Sequence, residues 1–407
     1  MKILFIGEIG AIGGASTAIE ELANASISLK HSVSLLIGLD RNGTESSSKN
    51  LNKAVKLFRY KVNFNGNINV FFTLALGLFN GLTKIQNEIN PDLIILNYSF
   101  SAGLVCIHPL FWKKRKIFLF HGDEPRIMWS LIPKPKKQPV LGWIKRVLFS
   151  GIPIALVYIG MAIGLRLSTL IFVFSKYMKK NFPIKNQRIQ KKLRITSLGI
   201  DSQKFVTSKN VTVLRCKLNI SPNTVIFLCT SRFEYRKGID MLIESFYLAQ
   251  KKISNSLLIL ATSADAHSIK SSYFQDVRHS ISTRKLQDKV KILYNLSREE
   301  LIPYYQAADL YVLPSRSLES FGLVVLESMA CGLPVVCYRY GGAPQEVVSK
   351  ISKKFIFDTY SPEVLSQYMV KHIHAKKIFK NKLIQTAKKY NWTRSINDIL
   401  KKTENTY

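Results

Sequence analysis

The first half of the chain alternates short apolar runs with polar stretches of helix length. Apolar runs of about four to eight residues are typical of strands buried on both faces of a parallel sheet, and the stretches between them can form crossover helices. The runs predict strands at Lys2–Ile6, Val33–Ile37, Pro91–Asn97, Ile117–Phe120 and Ser168–Ser175. Residues 1–200 are therefore predicted to form a doubly wound α/β domain.

The second half of the chain repeats this pattern. It predicts strands at Thr224–Cys229, Leu257–Leu260, Val290–Leu293, Leu310–Pro314 and Pro334–Tyr338. Residues 201–390 then form a second α/β domain, and the pattern of residues 391–407 predicts a final helix. We expect two Rossmann-like domains with parallel sheets that face each other across a cleft, and 407 residues are enough for both cores.

Composition adds a strong positive charge to this picture. The formal net charge is +33, and between Glu124 and Asp201 there are fifteen Lys and Arg but no acidic residue. Such a field attracts nucleic acid, an anionic membrane or an anionic substrate, although general lysine richness accounts for part of it. The five cysteines are odd in number, lie in apolar contexts and show no C-x-x-C spacing, which indicates reduced thiols in a cytosolic protein.

One helix start in the second half provides a candidate anion site. Ser320 is available as the N-cap of an apolar helix that runs to Ala330, and Gly332 ends it. The amino end of a helix carries N–H groups and partial positive charge, and a glycine lets a phosphate approach closely. The amides predicted to bind a diphosphate are those of Gly322, Leu323 and Val324.

Two carboxylates lie around this helix start. Glu319 and Glu327 are eight positions apart, which at the helical rise spans at most about 12 Å, roughly the length of a sugar–diphosphate–ribose unit. Carboxylates accept hydrogen bonds from paired hydroxyls, so one acid is expected to hold the sugar and the other the ribose. The alternative is an amphipathic helix with Glu327 solvated and Glu319 in an ordinary loop.

The loop after the strand Thr224–Cys229 carries cations. Arg232 and Lys237 lie five positions apart in it, and a guanidinium with an ammonium can bind a diphosphate without metal. Arg236 is an additional cation that can remain solvated. The sequence contains no Asp-x-Asp, so neither a metal nor another cofactor is expected.

Two features of the first half lie at predicted strand ends, where open α/β sheets bind ligands. The loop that contains Gly13 and Gly14 places amides beside the first strand. A plain strand-to-helix turn is the alternative. His121 directly follows the strand Ile117–Phe120, but an isolated histidine is more often structural.

Residues 134–166 combine cations with a long uncharged stretch. The nineteen residues from Val147 to Leu165 carry no charge and are long enough to span a bilayer. However, the strand Ser168–Ser175 follows in the same domain, and several glycines interrupt the stretch. An in-plane or shallowly inserted hairpin that faces the membrane, anchored by Trp143, fits better, and a buried helix between the domains is the alternative.

The run Glu319-Ser-Phe-Gly-Leu-Val-Val-Leu-Glu327 resembles the E-x7-E signature of the group 1, or family 4, retaining glycosyltransferases. The resemblance implies the GT-B fold, with a final helix that crosses back to the first domain. It also implies that Glu319 holds donor-sugar hydroxyls and that Glu327 holds the ribose. Arg232 and Lys237 match the spacing of the family's phosphate-binding pair, and His121 matches a histidine that contacts the sugar or acceptor.

Some positions depart from the family pattern. Ser231 and Leu198 replace a usual glycine and asparagine, Tyr294-Asn295 replaces an aromatic–glycine pair, and no Gly-x-Gly follows the strand Leu257–Leu260. The last two departures leave recognition of the base, and hence the nucleotide, open. The Gly13–Gly14 pair matches a loop that contacts the donor phosphate or the acceptor.

The resemblance implies a metal-independent glycosyltransferase that moves a sugar from a UDP- or GDP-sugar to a glycan or polyprenyl-diphosphate-linked acceptor. The expected setting is bacterial envelope polysaccharide synthesis, with the protein cytoplasmic and peripheral on the inner face of the cell membrane. An anionic membrane surface is an expected partner, and nucleic acid is not. The alternatives are a sugar-nucleotide epimerase on the same fold and a non-catalytic, basic nucleic-acid-binding protein.

Overall fold

The computed structural model describes residues 1–8, 14–39, 51–61, 69–97, 99–122, 155–263, 271–316 and 319–406. The chain divides into two compact units. Unit 1 comprises Met1–Ser197 and Trp392–Tyr407, and unit 2 comprises Leu198–Asn391.

Unit 1 alternates strands with helices. Its elements before the linker are β1 (Lys2–Glu8), α1 (Gly14–Ser28), β2 (Ser32–Leu39), β3 (Lys56–Lys61), α2 (Asn69–Glu88), β4 (Leu93–Leu96), α3 (Ser99–Ile107), a 3₁₀ turn (Pro109–Phe111), β5 (Arg115–Leu119), α4 (155–167), β6 (Leu170–Val173), α5 (Lys176–Lys180), α6 (Gln187–Lys192) and β7 (Leu193–Ile195).

The sheet of unit 1 has the order β3-β2-β1-β4-β5-β6-β7, and its strands are parallel. The order reverses between β1 and β4, so the carboxyl ends of these two strands form the topological switch point, where ligands bind in open α/β sheets. The four residues of β4 are buried, as expected for a strand covered on both faces.

The helices α3 and α4 pack very closely. A Cβ added to Gly103 would lie 2.5 Å from the Cα atom of Gly160, and one added to Gly164 would lie 2.9 Å from the Cβ of Ala102. Such short distances exclude a side chain, so the glycines permit this approach. Part of the uncharged stretch predicted to face the membrane is therefore packed on α3.

Unit 2 contains the second parallel sheet. Its elements are α7 (Val211–Lys217), β8 (Val225–Thr230), a 3₁₀ turn (Tyr235–Lys237), α8 (Ile239–Gln250), β9 (Ser256–Thr262), α9 (Ser272–Thr283), β10 (Val290–Tyr294), α10 (Arg298–Ala307), β11 (Leu310–Leu313), α11 (Leu323–Ala330), β12 (Val335–Tyr338), α12 (Pro344–Val348), a 3₁₀ turn (Lys353–Phe355), β13 (Ile356–Phe357), α13 (Pro362–Lys371) and α14 (Ala375–Lys388).

The strands of unit 2 are also parallel, in the order β10-β9-β8-β11-β12-β13. Its switch point lies between β8 and β11. The final helix, α15 (Trp392–Glu404), belongs to unit 1 and packs on α1.

The strands predicted from apolar runs are confirmed within a few residues at each end. The described part of the chain contains three further strands that those runs did not predict, namely β3, β7 and β13. Each lies at the edge of the described sheet or is only two or three residues long. Such strands lack the continuous apolar pattern that identifies a central strand.

Candidate active site

The candidate site of unit 2 is formed by loops at the carboxyl ends of β8 and β11. The loop after β8 ends in the 3₁₀ turn Tyr235–Lys237 and in Gly238, whose φ is +69°. A Cβ at Gly238 would lie 2.3 Å from the carbonyl oxygen of Pro314, at the end of the β11 strand. Glycine thus lets the two loops meet at the switch point.

Lys237 and Glu319 form a mostly buried ion pair in this site. The Lys237 ammonium contacts Glu319 Oε1, and Ser315 Oγ donates to the same oxygen at 2.9 Å. Burial lowers the pKa of Lys237, although the Glu319 carboxylate opposes this effect. For Glu319, burial alone would raise the pKa, but the charges of Lys237 and Arg236 outweigh it and the pKa lies below its ordinary value.

The cations of the β8 loop take different positions. Arg236 Nη1 lies 4.0 Å from Glu319 Oε1, and its Nε lies 2.6 Å from Glu234. The Arg236 side chain is only 17% exposed, so it is part of the site and not a solvated extra cation. Arg232 instead pairs with Glu234 at 2.9 Å, and its side chain is 49% exposed.

Arg316 connects the loop after β11 with the loop after β8. Its Nη1 donates at 2.7 Å both to Asp240 Oδ1 on α8 and to the carbonyl oxygen of Tyr235. Its guanidinium also lies over the rings of Tyr235 and Tyr360, 4.1 and 5.2 Å from their centroids. This arrangement fixes the loop of Lys237 relative to the loop of Glu319.

The start of α11 differs from the sequence prediction. Its N-cap is Gly322, with a φ of +81° and no side-chain capping bond, so Ser320 is not the N-cap. The prediction that Ser320 is the N-cap was wrong. The backbone of Glu319 is hydrogen-bonded to the glycine loop after β12, so the helix begins further along the chain, after Gly322. The Glu319 N–H donates to Gly341 O and the Ala343 N–H donates to Glu319 O.

The predicted anion site keeps its position despite this shift. Leu323 and Val324 are the first two residues of α11, and the predicted end of the helix at Ala330 is confirmed. The first N–H groups of a helix have no acceptor within it. A phosphate at Gly322 would therefore meet amides three residues from Glu319.

Glu327 lies in a polar network on the buried side of α11. Its residue surface is 5% exposed, and Oε1 accepts from Arg298 Nε at 3.1 Å and from Nη2 at 2.9 Å. Its Oε2 accepts from Tyr305 Oη at 2.8 Å. Glu327 is thus not a solvated helix residue.

The sequence prediction included neither Arg298 nor Tyr305. Both lie on α10, where the capping box of Ser297 and Glu300 fixes the first turn. No spacing rule relates α10 to α11, and the first turn of α10 already contains Glu299 and Glu300, so Arg298 alone does not indicate a carboxylate on another helix.

In unit 1, His121 lies at the carboxyl end of β5 and contacts Asn97. Asn97 Oδ1 lies 2.7 Å from His121 Nε2, and the ring of Phe174 packs against the imidazole with centroids 4.7 Å apart. Burial lowers the pKa of His121 to about 3, which keeps the imidazole neutral. Asn97 was predicted only as a strand residue, yet it directly follows β4 at the switch point.

The other predicted residues of unit 1 are only partly described. Gly14 is the first residue of α1, whereas Gly13 lies outside the described residues. Of the predicted membrane-facing segment 134–166, residues 134–154 also lie outside them, and 155–166 belong to α4. Among the described residues, no helix has both the length and the apolar character to cross a membrane.

Two family models match the chain. The model described as glycosyl transferases group 1 matches residues 210–390, and the model described as glycosyltransferase family 4 matches residues 12–204. The matches cover most of both units.

Named relatives match part of the chain. A GDP-mannose-dependent monoacylated alpha-(1-6)-phosphatidylinositol monomannoside mannosyltransferase of Corynebacterium glutamicum is 30% identical over 158 residues, which are 37% of this chain and 39% of that protein. The alpha-monoglucosyldiacylglycerol synthase of Streptococcus pneumoniae is 28% identical over 159 residues, 38% of this chain and 34% of that protein. The matched part is thus 39% or less of the length of these relatives.

A solved structure matches over the full length. The Anabaena protein HepE, in complex with UDP and glucose, covers 100% of both chains with a TM-score of 0.72 at 18% identity. Such a likeness identifies the fold, which is GT-B with two Rossmann-like, doubly wound parallel sheets. Together with the two matching family models, it shows that the chain belongs to the group 1, family 4 glycosyltransferases.

Proposed function

We propose that this glycosyltransferase moves a sugar, with retention of anomeric configuration, from a UDP- or GDP-sugar to a glycan or polyprenyl-diphosphate-linked acceptor of the bacterial envelope. The observation that carries the proposal is the buried pair of Lys237 and Glu319 at the switch point of unit 2. It places a cation beside Glu319, a hydrogen-bond acceptor for hydroxyls that lies four residues before the start of α11, where a phosphate is favoured.

In this proposal, different side chains of unit 2 bind different parts of the donor. Lys237, Arg236 and Arg232 and the amides of α11 stabilise the negative charge on the departing diphosphate, so the mechanism requires no metal ion. Glu319 accepts hydrogen bonds from sugar hydroxyls, and Glu327 accepts them from the ribose. In unit 1, His121 contacts the sugar or the acceptor, and the loop of Gly13 and Gly14 contacts phosphate or acceptor.

The relatives support this choice of substrates. The name of the Corynebacterium glutamicum protein contains GDP-mannose and a phosphatidylinositol lipid, and that of the Streptococcus pneumoniae protein contains a glucosylated diacylglycerol. The HepE structure contains UDP and glucose.

We further propose that unit 1 attaches peripherally to the cytoplasmic face of the cell membrane. In this proposal the attachment lies in residues 134–166, as the sequence predicts. Described residues at the amino ends of β5 and β6 add further exposed apolar surface to unit 1, because Trp112 is 67% exposed, Leu110 is 44% exposed and Leu167 is 50% exposed. Lys113 and Arg166 are exposed beside them, and aromatic residues with cations favour an anionic lipid surface.

Product analysis with a panel of nucleotide sugars tests the proposal against its alternatives. With a membrane extract as the source of acceptor, a transferase forms a glycosylated product and releases nucleoside diphosphate. An epimerase converts the nucleotide sugar without an acceptor, and a nucleic-acid-binding protein leaves every donor unchanged. Either of the last two results would contradict the proposed function.

A further inference from the structure

Asn97 joins three elements at the switch point of unit 1. It directly follows β4 and is 1% exposed, and its N–H donates to the carbonyl oxygen of Ile6 on β1. The side-chain Nδ2 donates at 3.1 Å to the carbonyl oxygen of Ala15, in the first turn of α1. The side-chain Oδ1 faces His121 Nε2, at the end of β5.

These contacts determine the orientation of the amide. A carboxamide nitrogen only donates and a carboxamide oxygen only accepts. If the Asn97 amide were flipped, its oxygen would face the Ala15 carbonyl oxygen with no hydrogen between them, and this arrangement is unfavourable. Oδ1 must therefore face His121, and the nitrogen that lies 2.7 Å from it must carry a hydrogen.

We propose that Asn97 is a positioning residue that holds the neutral imidazole of His121 with its hydrogen on Nε2, so that Nδ1 accepts a hydrogen bond from a sugar hydroxyl. The role of Nδ1 rests on the proposed function, whereas the tautomer rests on the contacts of Asn97 alone. The two neighbours of the ring described above, Asn97 and Phe174, do not titrate. Burial keeps the pKa of His121 far below neutral pH.

Nitrogen-15 NMR of the full chain labelled in histidine tests the tautomer without substrate. A His121→Gln spectrum identifies the His121 signals among the seven histidines. We expect Nε2 to be protonated and Nδ1 to be unprotonated between pH 5 and pH 8. A proton on Nδ1, or rapid exchange between the two tautomers, would overturn the proposal.

Two substitutions separate positioning from packing. Asn97→Leu removes the acceptor, and we expect a mixture of tautomers and a kcat reduced about tenfold or more, with a smaller change in donor KM. Asn97→Asp keeps an acceptor for Nε2–H but adds a negative charge, which favours the imidazolium and raises its pKa by about 1–3 pH units. The acidic limb of the kcat/KM profile should move up by the same amount.

Asn181→Asp is the matched control, because Asn181 is an exposed residue of unit 1 whose side-chain amide donates to the carbonyl oxygen of Tyr177. It should leave the His121 spectrum unchanged. If Asn97→Leu leaves the tautomer unchanged, the positioning role is overturned. If the tautomer changes but kcat, KM and the pH profile do not, the contact of Nδ1 with the substrate is overturned. Failure of the proposed function would instead appear as absence of transfer by the unmodified protein.

Discussion

At the scale of single residues, the site of unit 2 is defined by paired charges. Lys237 and Glu319 are mostly buried. Leaving the charge of either side chain unpaired there would cost free energy, because little water can solvate it. The two charges stabilise each other in the ion pair. A nucleotide sugar offers phosphate oxygens to the ammonium and hydroxyls to the carboxylate, so the same pair can hold both parts of the donor.

Lys237→Ala and Arg232→Ala are each expected to lower kcat/KM for transfer at least tenfold. Each removes a charge-assisted contact of about 1.5–3 kcal/mol to the leaving diphosphate. Lys237→Ala should also lower Tm, because Glu319 then remains buried without its closest cation, whereas the half-exposed Arg232 should affect Tm little. Lys204→Ala removes an exposed pair with Glu299 and serves as the control. Unchanged kcat/KM in both site variants would exclude them from the site.

At the scale of elements, the beginning of α11 determines the position of the proposed anion site. The sequence favours a serine cap, but the structure has Gly322 with a positive φ and the Cβ position 2.9 Å from Pro344. The helix start is therefore set by backbone conformation and by contact with α12, not by a side-chain cap.

Alanine substitutions at Ser320 and Gly322 test which of the two residues determines the start of α11. Ser320→Ala should change the free energy of unfolding by less than the roughly 1 kcal/mol that loss of an N-cap costs. Gly322→Ala should destabilise by about 1 kcal/mol or more, because alanine disfavours this φ and its methyl group meets Pro344. Denaturant unfolding of both variants measures the difference. A larger loss for Ser320→Ala would show that the cap is the serine.

The central strands could be predicted from the sequence, whereas an edge strand and contacts between helices could not. Apolar runs predict the central strands, and strand ends then locate the loops of Lys237, Glu319 and His121. The edge strand β3 was missed because cations interrupt its sequence, Lys-Leu-Phe-Arg-Tyr-Lys. Contacts such as Arg298 with Glu327 were missed because they depend on how two helices pack, which local spacing does not encode.

At the scale of the whole molecule, a long stretch almost without acidic residues lies in unit 1, and the candidate donor site lies in unit 2. Apart from Asp123 and Glu124, residues 99–200 contain no acidic residue. This half of the protein is therefore suited to an anionic surface.

We expect the protein to bind vesicles that contain anionic lipid and to be partly released by salt, since each cation near the surface contributes on the order of 1 kcal/mol. Trp112→Ser with Leu110→Ser should weaken binding. Binding should be abolished only when Lys134, Lys136, Lys137, Lys145 and Arg146 are neutralised together with a polar substitution at Trp143 or Phe149. Vesicle flotation measures this, with neutral vesicles as the control. If the unmodified protein does not float with anionic vesicles at low salt, the proposed membrane attachment is contradicted.

The central claim is that unit 2 binds a nucleotide sugar with the ribose at Glu327 and the sugar at Glu319. Calorimetric titration with UDP and GDP tests this most directly, because a free nucleoside diphosphate contains the ribose but not the sugar. We expect one of the two nucleotides to bind the unmodified protein, Glu327→Gln to weaken its affinity, and Glu319→Gln to leave it nearly unchanged while reducing turnover. Equal losses of affinity in both variants, or no binding of either nucleotide, would contradict the claim.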